Sequence, residues 1–386
     1  MVQADRSLFL PPYCVQLSAR HRIRYVMMTP VRSAAPFWSR LVALTVICLI
    51  GFTGAGAIAD ARTASIQNDH LAAELTHPDW FKDSFLDLRD DLQQATAAGK
   101  RGILVFFSTR TCSYCQVFLD TTFADPEIVE RVQRHFDVIG LEVMSDLEVT
   151  DPQGELHWAK DFAVREQARF TPTLVFYGEQ GLPLLRLVGH QPPDRFRRIL
   201  DYLEERQYAT RTLRAYLDEQ DAQPAPGGTL TPVPGFFSPP PYLLDRRAPG
   251  GRPLLVLFEQ PDCQPCRVFH RTVLQQASIR KHLRAFEVVQ LDLLDDRSPV
   301  LTPKGRKLTP KAWAEQLQLI HTPALVFFDE TGSEVLRLDA ETGSYRMEGV
   351  LQYVLEKAYL ETPQFQRWRR QKALENTAPV SSRRVE

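Results

Sequence analysis

The sequence predicts an α/β fold that occurs twice in tandem within 386 residues. Residues 102–115, GILVFFSTRTCSYC, run from an apolar segment through a short polar turn to a Cys-X-X-Cys pair. Strand-like and helix-like segments alternate after it, and the same order returns beyond a proline-rich segment. This alternation predicts two three-layer sandwiches, each a mixed sheet with flanking helices.

The apolar segment before the first cysteine pair predicts a central strand. An unbroken run of β-branched and aromatic residues is typical of a strand buried on both faces. The residues after Cys115 have helical apolar spacing, so Cys112 is expected at a helix N-terminus. Unpaired N–H groups and the helix dipole favour a thiolate there. Lowering the pKa from about 8.5 to about 7 raises the thiolate fraction at pH 7 from a few per cent to about half.

The N-terminal region, residues 1–59, has the pattern of a secretory signal, with Met27 and Met28 as alternative starts. Its segment 41–59 is uncharged, follows two arginines and ends in an Ala-X-Ala pattern. Cleavage would leave four cysteines, all in Cys-X-X-Cys pairs, in an exported, periplasmic protein. The alternative is an uncleaved anchor, because 19 uncharged residues can just span a bilayer.

Three further elements are predicted around the central strand. An amphipathic helix is expected over 77–100, with Phe81 and Phe85 in its apolar set. A second strand is expected over 136–143, and a short helix over 158–164. The acidic insertion between them lacks the spacing of a calcium-binding loop, so we expect a solvated loop.

Thr171 and Pro172 mark the entry of a predicted β-hairpin, RFTPTLVFYGEQGLPLLRLVG. Proline has no N–H to donate, so it is expected at the start of a strand rather than inside it. A helix over 193–216 would close the first domain.

The second half repeats the first at one fixed offset. Cys263 lies 151 residues after Cys112, and Thr322-Pro323 lies 151 residues after Thr171-Pro172. The same register relates the strands and helices that follow each proline. Self-similarity over so long a stretch indicates two copies of one fold.

This repeat sets the domain boundaries. The first domain is expected over 74–218, the second over 250–362, and a charged, frayed tail over 363–386. Residues 219–249 are rich in proline and predict a linker. A flexible linker of about 30 residues reaches roughly 30 Å, which would let the two cysteine sites meet in an electron relay.

Both halves resemble thioredoxin-fold domains. The residues that carry the resemblance are Cys112-Ser113-Tyr114-Cys115 with Thr171-Pro172, and Cys263-Gln264-Pro265-Cys266 with Thr322-Pro323. The chain is further similar to the exported thioredoxin-like proteins of bacterial sulfur-oxidation systems. The resemblance implies that the first cysteine of each pair attacks a disulfide, that the second resolves the intermediate, and that each Thr-Pro loop faces the disulfide with its proline cis.

The resemblance thus implies a periplasmic thiol-disulfide oxidoreductase that reduces or isomerises protein disulfides without a cofactor. Its expected partners are protein disulfides and thiols, and an upstream thiol-redox partner that could be membrane-bound. No nucleic acid is expected, because the formal net charge is −1. No stable membrane insertion is expected if the signal is cleaved.

Two departures from the family bear on the chemistry. Phe106 and Leu257 stand where thioredoxins carry a buried acid, and Glu259 is expected in a turn. Arg110 beside the first pair should stabilise the Cys112 thiolate, whereas Asp262 beside the second pair should oppose that of Cys263. The first site is therefore predicted to be the more oxidising.

Two other classes of function stay open. The cysteine pairs could handle copper or zinc in metalloprotein assembly, with His270 as a third ligand, but the pairs are too far apart for one zinc site. We expect no metal, and a solvated His270. The chain could also be a non-catalytic periplasmic binding protein with incidental disulfides.

Overall fold

The computed structural model describes residues 74–220, 230 and 237–377. The predicted signal region and much of the predicted linker lie outside the described residues. Two four-stranded mixed sheets with flanking helices form the two halves, which confirms the predicted fold class. No helix within the described ranges has the length and apolar character needed to cross a bilayer.

The first domain places two central strands between two layers of helix. Its strands are β1 (Gly102–Ser108), β2 (Phe136–Glu142), β3 (Glu148–Thr150), β4 (Leu156–Trp158), β5 (Thr173–Gly178) and β6 (Pro183–Val188). Its helices are α1 (Leu88–Ala97), α2 (Ser113–Thr121), α3 (Pro126–His135), α4 (Ala159–Arg165), α5 (Pro193–Glu204) and α6 (Leu213–Gln220). The sheet order is β2-β1-β5-β6, with β1 parallel to β2 and antiparallel to β5.

Strand β1 is buried on both faces, as its apolar run predicts. Leu104 and Phe106 join a core cluster with α2, α3 and α5, whereas Val105 and Phe107 join a second cluster with α1 and α4. The side chains of a strand alternate between its faces, so this one strand holds both helical layers in place. It delivers Cys112 at its carboxyl end.

The second domain repeats this topology. Its strands are β7 (Tyr242–Leu243), β8 (Leu254–Glu259), β9 (Glu287–Asp292), β10 (Val300–Leu301), β11 (Lys307–Leu308), β12 (Ala324–Phe328) and β13 (Glu334–Leu338). Its helices are α7 (Gln264–Phe269), α8 (Ala277–Leu283), α9 (Pro310–Gln316), α10 (Ser344–Leu355) and α11 (Phe365–Thr377), with a π-helical turn at His270–Leu274. The sheet order β13-β12-β8-β9 matches that of the first domain.

Several predicted elements differ in detail. The helix predicted over 77–100 is confined to α1, where Asp87 caps its N-terminus, and Phe85 is fully exposed rather than part of an apolar face. The helix predicted over 193–216 is interrupted where Arg206 adopts a left-handed conformation with φ of 56°. The acidic insertion contains the hairpin β3–β4, which the sequence analysis did not predict.

The expectation of a frayed charged tail is wrong for residues 365–375. They belong to α11, in which Phe365 and Trp368 are almost completely buried in the core of the second domain. These two residues are three positions apart and so lie on one helical face, where two aromatic side chains bury enough apolar surface to hold a helix whose other residues are mostly polar.

The two domains are packed against each other, not merely joined. Arg346 of α10 donates from Nη2 to the carbonyl of Thr171 at 3.1 Å, and its counterpart Arg195 of α5 donates from Nη2 to the carbonyl of Ile320 at 2.7 Å. Gly189 lies against its own counterpart, Ala340, so closely that a Cβ at Gly189 would overlap the Ala340 Cβ. A relay in which the linker swings one site onto the other would therefore have to break these contacts.

Candidate active sites

The first site is a disulfide at the start of α2. Cys112 is the N-cap residue of this helix and is joined to Cys115 with an S–S distance of 2.03 Å. The Cys115 backbone N–H donates to Cys112 Sγ at 3.1 Å, and both sulfurs are buried. An N–H aimed at the first sulfur is the contact that would stabilise its thiolate once the disulfide is reduced.

The Thr171-Pro172 loop faces this disulfide, as the resemblance implies. Its peptide bond is cis, and Thr171 Oγ1 lies 3.2 Å from Cys112 Sγ. Strand β5 starts directly after Pro172, so the proline occupies the strand entry, where no N–H is needed. The structure thus brings together the four predicted catalytic and substrate-binding residues of the first domain, Cys112, Cys115, Thr171 and Pro172.

The second site has the same construction. Cys263 caps α7 and is joined to Cys266, whose backbone N–H donates to Cys263 Sγ at 3.0 Å. The Thr322-Pro323 peptide is cis, and the Thr322 carbonyl oxygen lies 4.0 Å from Cys263 Sγ. The four predicted catalytic and substrate-binding residues of the second domain therefore also lie together.

A buried pair of titratable residues, Glu259 and His270, lies in the second domain. The predictions of a turn position for Glu259 and of a solvated His270 are both wrong. Glu259 is the last residue of β8, not part of a turn, and is completely buried. His270 is also buried rather than solvated, with Nε2 at 2.7 Å from Glu259 Oε1. Gln290 Nε2 donates to the other carboxylate oxygen at 2.5 Å. Glu259 holds Nε2, and among the described side chains His270 does not belong to a group of potential ligands close enough together to hold a metal ion.

The first domain lacks this pair. At the same offset it has Ser108 and Leu119, and Ser108 Oγ instead contacts His77 Nε2 at 3.2 Å. The sequence did carry a signal for the pair, because His270 lies one helical turn after Cys266 and Glu259 directly follows an apolar run.

The two residues predicted to tune thiol pKa are both exposed. Arg110 is 75% exposed and lies 3.6 Å from Glu74. Asp262 adopts a left-handed conformation with φ of 56°. Solvent screens charges at such positions, so the effect of either side chain on its neighbouring cysteine should be modest.

A cleft of about 380 Å³ opens beside Cys112, and sequence reasoning missed most of its wall. Arg346, Arg369 and Arg370 of the second domain line it together with Arg110 of the first. Glu142, at the end of β2, is also in the wall, and burial raises the pKa of its carboxyl. The cleft is formed between domains, so neither half of the repeat predicts it alone.

Tyr114, which lies between Cys112 and Cys115, contacts the second domain. Its side chain is fully buried, its hydroxyl accepts the Gly343 backbone N–H at 2.8 Å, and the Arg346 guanidinium lies 3.6 Å from its ring centroid. The corresponding Pro265 in the second domain is exposed. The two sites therefore have the same construction but different surroundings.

Among the described residues, one group of three side chains is spaced closely enough to hold a metal ion, and it does not include the cysteines. It consists of Asp151, Glu155 and His157 in the acidic insertion. The Asp151 carboxylate accepts the backbone N–H groups of Gln153 and Glu155, each at 2.9 Å. Asp151 therefore serves to order a loop.

Three solved structures show the kind of likeness that this chain has to known proteins. A thioredoxin-fold protein from Helicobacter pylori is 17% identical, with 35% of this chain and 93% of that chain covered and a TM-score of 0.30. A thioredoxin from Thermus thermophilus is 26% identical over 30% of this chain and 81% of that chain, with a TM-score of 0.24. A disulphide isomerase from Xylella fastidiosa Temecula1 is 15% identical over 35% of this chain and 99% of that chain, also with a TM-score of 0.24. At TM-scores this low, none of them carries an argument about function.

A search of curated proteins finds no match. The sequence profile of the thioredoxin-like domain family matches residues 88–204 and 244–355, which together make up more than half of the chain. The two matched regions coincide with the two sheets and their cysteine pairs. The chain therefore belongs to the thioredoxin-like domain family and contains two such domains in tandem.

Proposed function

We propose that this protein is an exported, periplasmic thiol-disulfide oxidoreductase that reduces or isomerises protein disulfides at two centres. The observation that supports it is the same in each domain: a Cys-X-X-Cys disulfide at a helix N-terminus, opposite a cis Thr-Pro loop. The predicted signal favours the periplasmic location, and an upstream thiol donor would keep the pairs reduced.

The reaction starts from the reduced pair. The thiolate of Cys112 or Cys263 attacks one sulfur of a substrate disulfide, which forms a mixed disulfide and releases the other substrate sulfur as a thiol. The thiolate of Cys115 or Cys266 then attacks the first cysteine, which re-forms the Cys-X-X-Cys disulfide and releases the second substrate thiol. Two electrons and two protons pass from the enzyme pair to the substrate.

Reduction of insulin by dithiothreitol tests this function. We expect the wild-type chain to accelerate the reaction and Cys112→Ser with Cys263→Ser to abolish the acceleration. Each single substitution then measures how much of the insulin-reducing activity the other site contributes. Full activity in the double variant would contradict the proposal and favour a binding protein.

Metal handling is the second candidate, since the same paired thiols are good ligands for copper and zinc. The reduced protein would then carry copper or zinc on purification and show little turnover with insulin. Metal analysis of the anaerobically reduced chain, with the four-serine variant as control, separates this function from disulfide reduction.

A further inference from the structure

The cleft beside Cys112 carries an unusual balance of charge. Four arginines line it, Arg110, Arg346, Arg369 and Arg370, against one acidic lining residue, Glu142, and Glu74 lies 3.6 Å from Arg110. Burial raises the pKa of the Glu142 carboxyl, and the positive charges of Arg370 and Arg110 act in the opposite direction. A concave site with net positive charge attracts anions. Guanidinium groups bind carboxylates well because they can donate two parallel hydrogen bonds.

The backbone next to the disulfide is already occupied. Arg346 donates to the Thr171 carbonyl, which is the group that an extended substrate chain would pair with beside the cis proline. Tyr114, two residues after Cys112, is contacted by Gly343 and Arg346. At the second site the corresponding Arg195 donates to Ile320 instead, two residues before Thr322. The first site is thus less suited to a protein strand than the second.

The size of the cleft fits a small molecule. A volume of about 380 Å³ lies within the range of roughly 300 to 1,000 Å³ typical of small-ligand pockets. Cys112 is part of its wall, so a ligand held there has a reactive sulfur beside it. Helix α11 forms the far side of the cleft and supplies Arg369 and Arg370.

We propose that the Cys112–Cys115 site exchanges electrons chiefly with a small disulfide that bears carboxylate groups, while the Cys263–Cys266 site acts on proteins; this inference rests on the proposed function and narrows it by assigning the protein substrates mainly to the second centre. The arginines hold the carboxylates as the Cys112 thiolate attacks the small disulfide. One small thiol leaves, and Cys115 then displaces the second, so that one disulfide is reduced to two thiols and the enzyme pair is oxidised. In reverse, two small thiols reduce the enzyme.

Three small disulfides that differ in charge test this proposal. Dithiodipropionate is dianionic, hydroxyethyl disulfide is neutral and cystamine is dicationic. The full chain with Cys263→Ser and Cys266→Ser is reduced, and the rate constant for oxidation of Cys112 is followed by alkylation and mass spectrometry. We expect the rate constant to be highest for the anionic disulfide, lower for the neutral one and lowest for the cationic one. The rate constant for the anionic disulfide should fall as salt is added.

Substitution of the helix α11 arginines identifies the cause. In that background, Arg369→Gln with Arg370→Gln should lower the dithiodipropionate rate constant about tenfold and the hydroxyethyl disulfide rate constant less than about twofold. Arg370→Glu alone should also lower the dithiodipropionate rate constant. Because Arg370 is exposed, this substitution should not disturb folding. Arg367→Gln, an exposed arginine on the same helix outside the cleft, is the matched control.

Equal rates for the three disulfides, or an equal loss for all three in the arginine variants, would overturn the inference while leaving the oxidoreductase function intact. If the wild-type chain reduces none of the three disulfides and does not reduce insulin, the proposed function itself is contradicted.

Discussion

The Gly343 backbone N–H donates to the Tyr114 hydroxyl, so a residue inside the first cysteine pair is held by the second domain. We expect Tyr114→Phe to lower the free energy of unfolding by about 1 to 2 kcal/mol, because a buried N–H loses its acceptor. Urea denaturation measures the change. Tyr208→Phe, which removes a hydroxyl from a partly buried tyrosine, should cost less than about 0.5 kcal/mol. Equal losses in the two variants would argue against a special role for the Tyr114 hydroxyl.

The buried Glu259–His270 pair predicts a strong effect confined to the second domain. Glu259→Leu leaves His270 and Gln290 without their shared acceptor and should cost about 3 kcal/mol of stability. Glu259→Gln keeps acceptor and donor groups in place and should cost less.

A double-mutant cycle with His270→Leu separates the pair from its surroundings. We expect Glu259→Leu with His270→Leu to recover part of the loss, since His270 Nε2 is then no longer buried without its hydrogen-bond partner. The reduction potential of Cys263–Cys266 should shift in these variants while that of Cys112–Cys115 stays constant. Strictly additive losses would show that the two side chains do not interact.

The surroundings of the two pairs predict different thiol acidity. In the reduced chain, Cys112 has arginines nearby and Cys263 has Asp262, so we expect Cys112 to have the lower pKa and its pair to be the more oxidising. The pH dependence of iodoacetamide alkylation measures the pKa of Cys112 in the Cys115→Ser chain and that of Cys263 in the Cys266→Ser chain. Because Arg110 is well exposed, Arg110→Ala alone should move the Cys112 pKa only slightly. A lower pKa for Cys263 would show that the charges of the cleft do not act on Cys112.

The domain interface should weaken in mild acid. The pKa of His321 lies well below its ordinary 6.5, because burial disfavours the imidazolium and Arg195 adds a like charge. Between that lowered pKa and 6.5, the unfolded chain binds a proton that the folded chain does not, so the free energy of unfolding falls as the pH drops below 6.5. Protonation would also place a proton on the nitrogen that Gln191 Nε2 contacts at 2.8 Å.

Denaturation of wild type and His321→Gln from about pH 7 to about pH 5 measures this dependence, since histidine titrates in that range. We expect the variant to have the flatter profile. Burial raises the pKa of Asp339, which favours the folded state at low pH instead, but both chains retain this residue. His282→Gln, at a half-buried position away from the interface, should keep the wild-type slope, and an unchanged slope in His321→Gln would exclude the proposed cause.

The repeated elements and the cysteine and Thr-Pro positions could be predicted because their signals are local. Apolar run, cysteine spacing and strand-entry proline each depend on a few neighbouring residues. The cleft could not be predicted, since Arg346 and Arg370 are more than two hundred positions from Cys112 and no periodicity links them to it. Helix α11 was missed because its many charges outweighed the two aromatic residues that bury it.

The contact between Gly189 and Ala340 joins a residue to its own counterpart, which is what an axis of two-fold symmetry produces in a homodimer. This chain makes that contact within a single polypeptide. In a homodimer every substitution at the interface appears twice, whereas here either half can change alone. The fusion thus allows Tyr114 to be anchored by the opposite half while Pro265 stays exposed, so that one assembly carries two unequal redox centres.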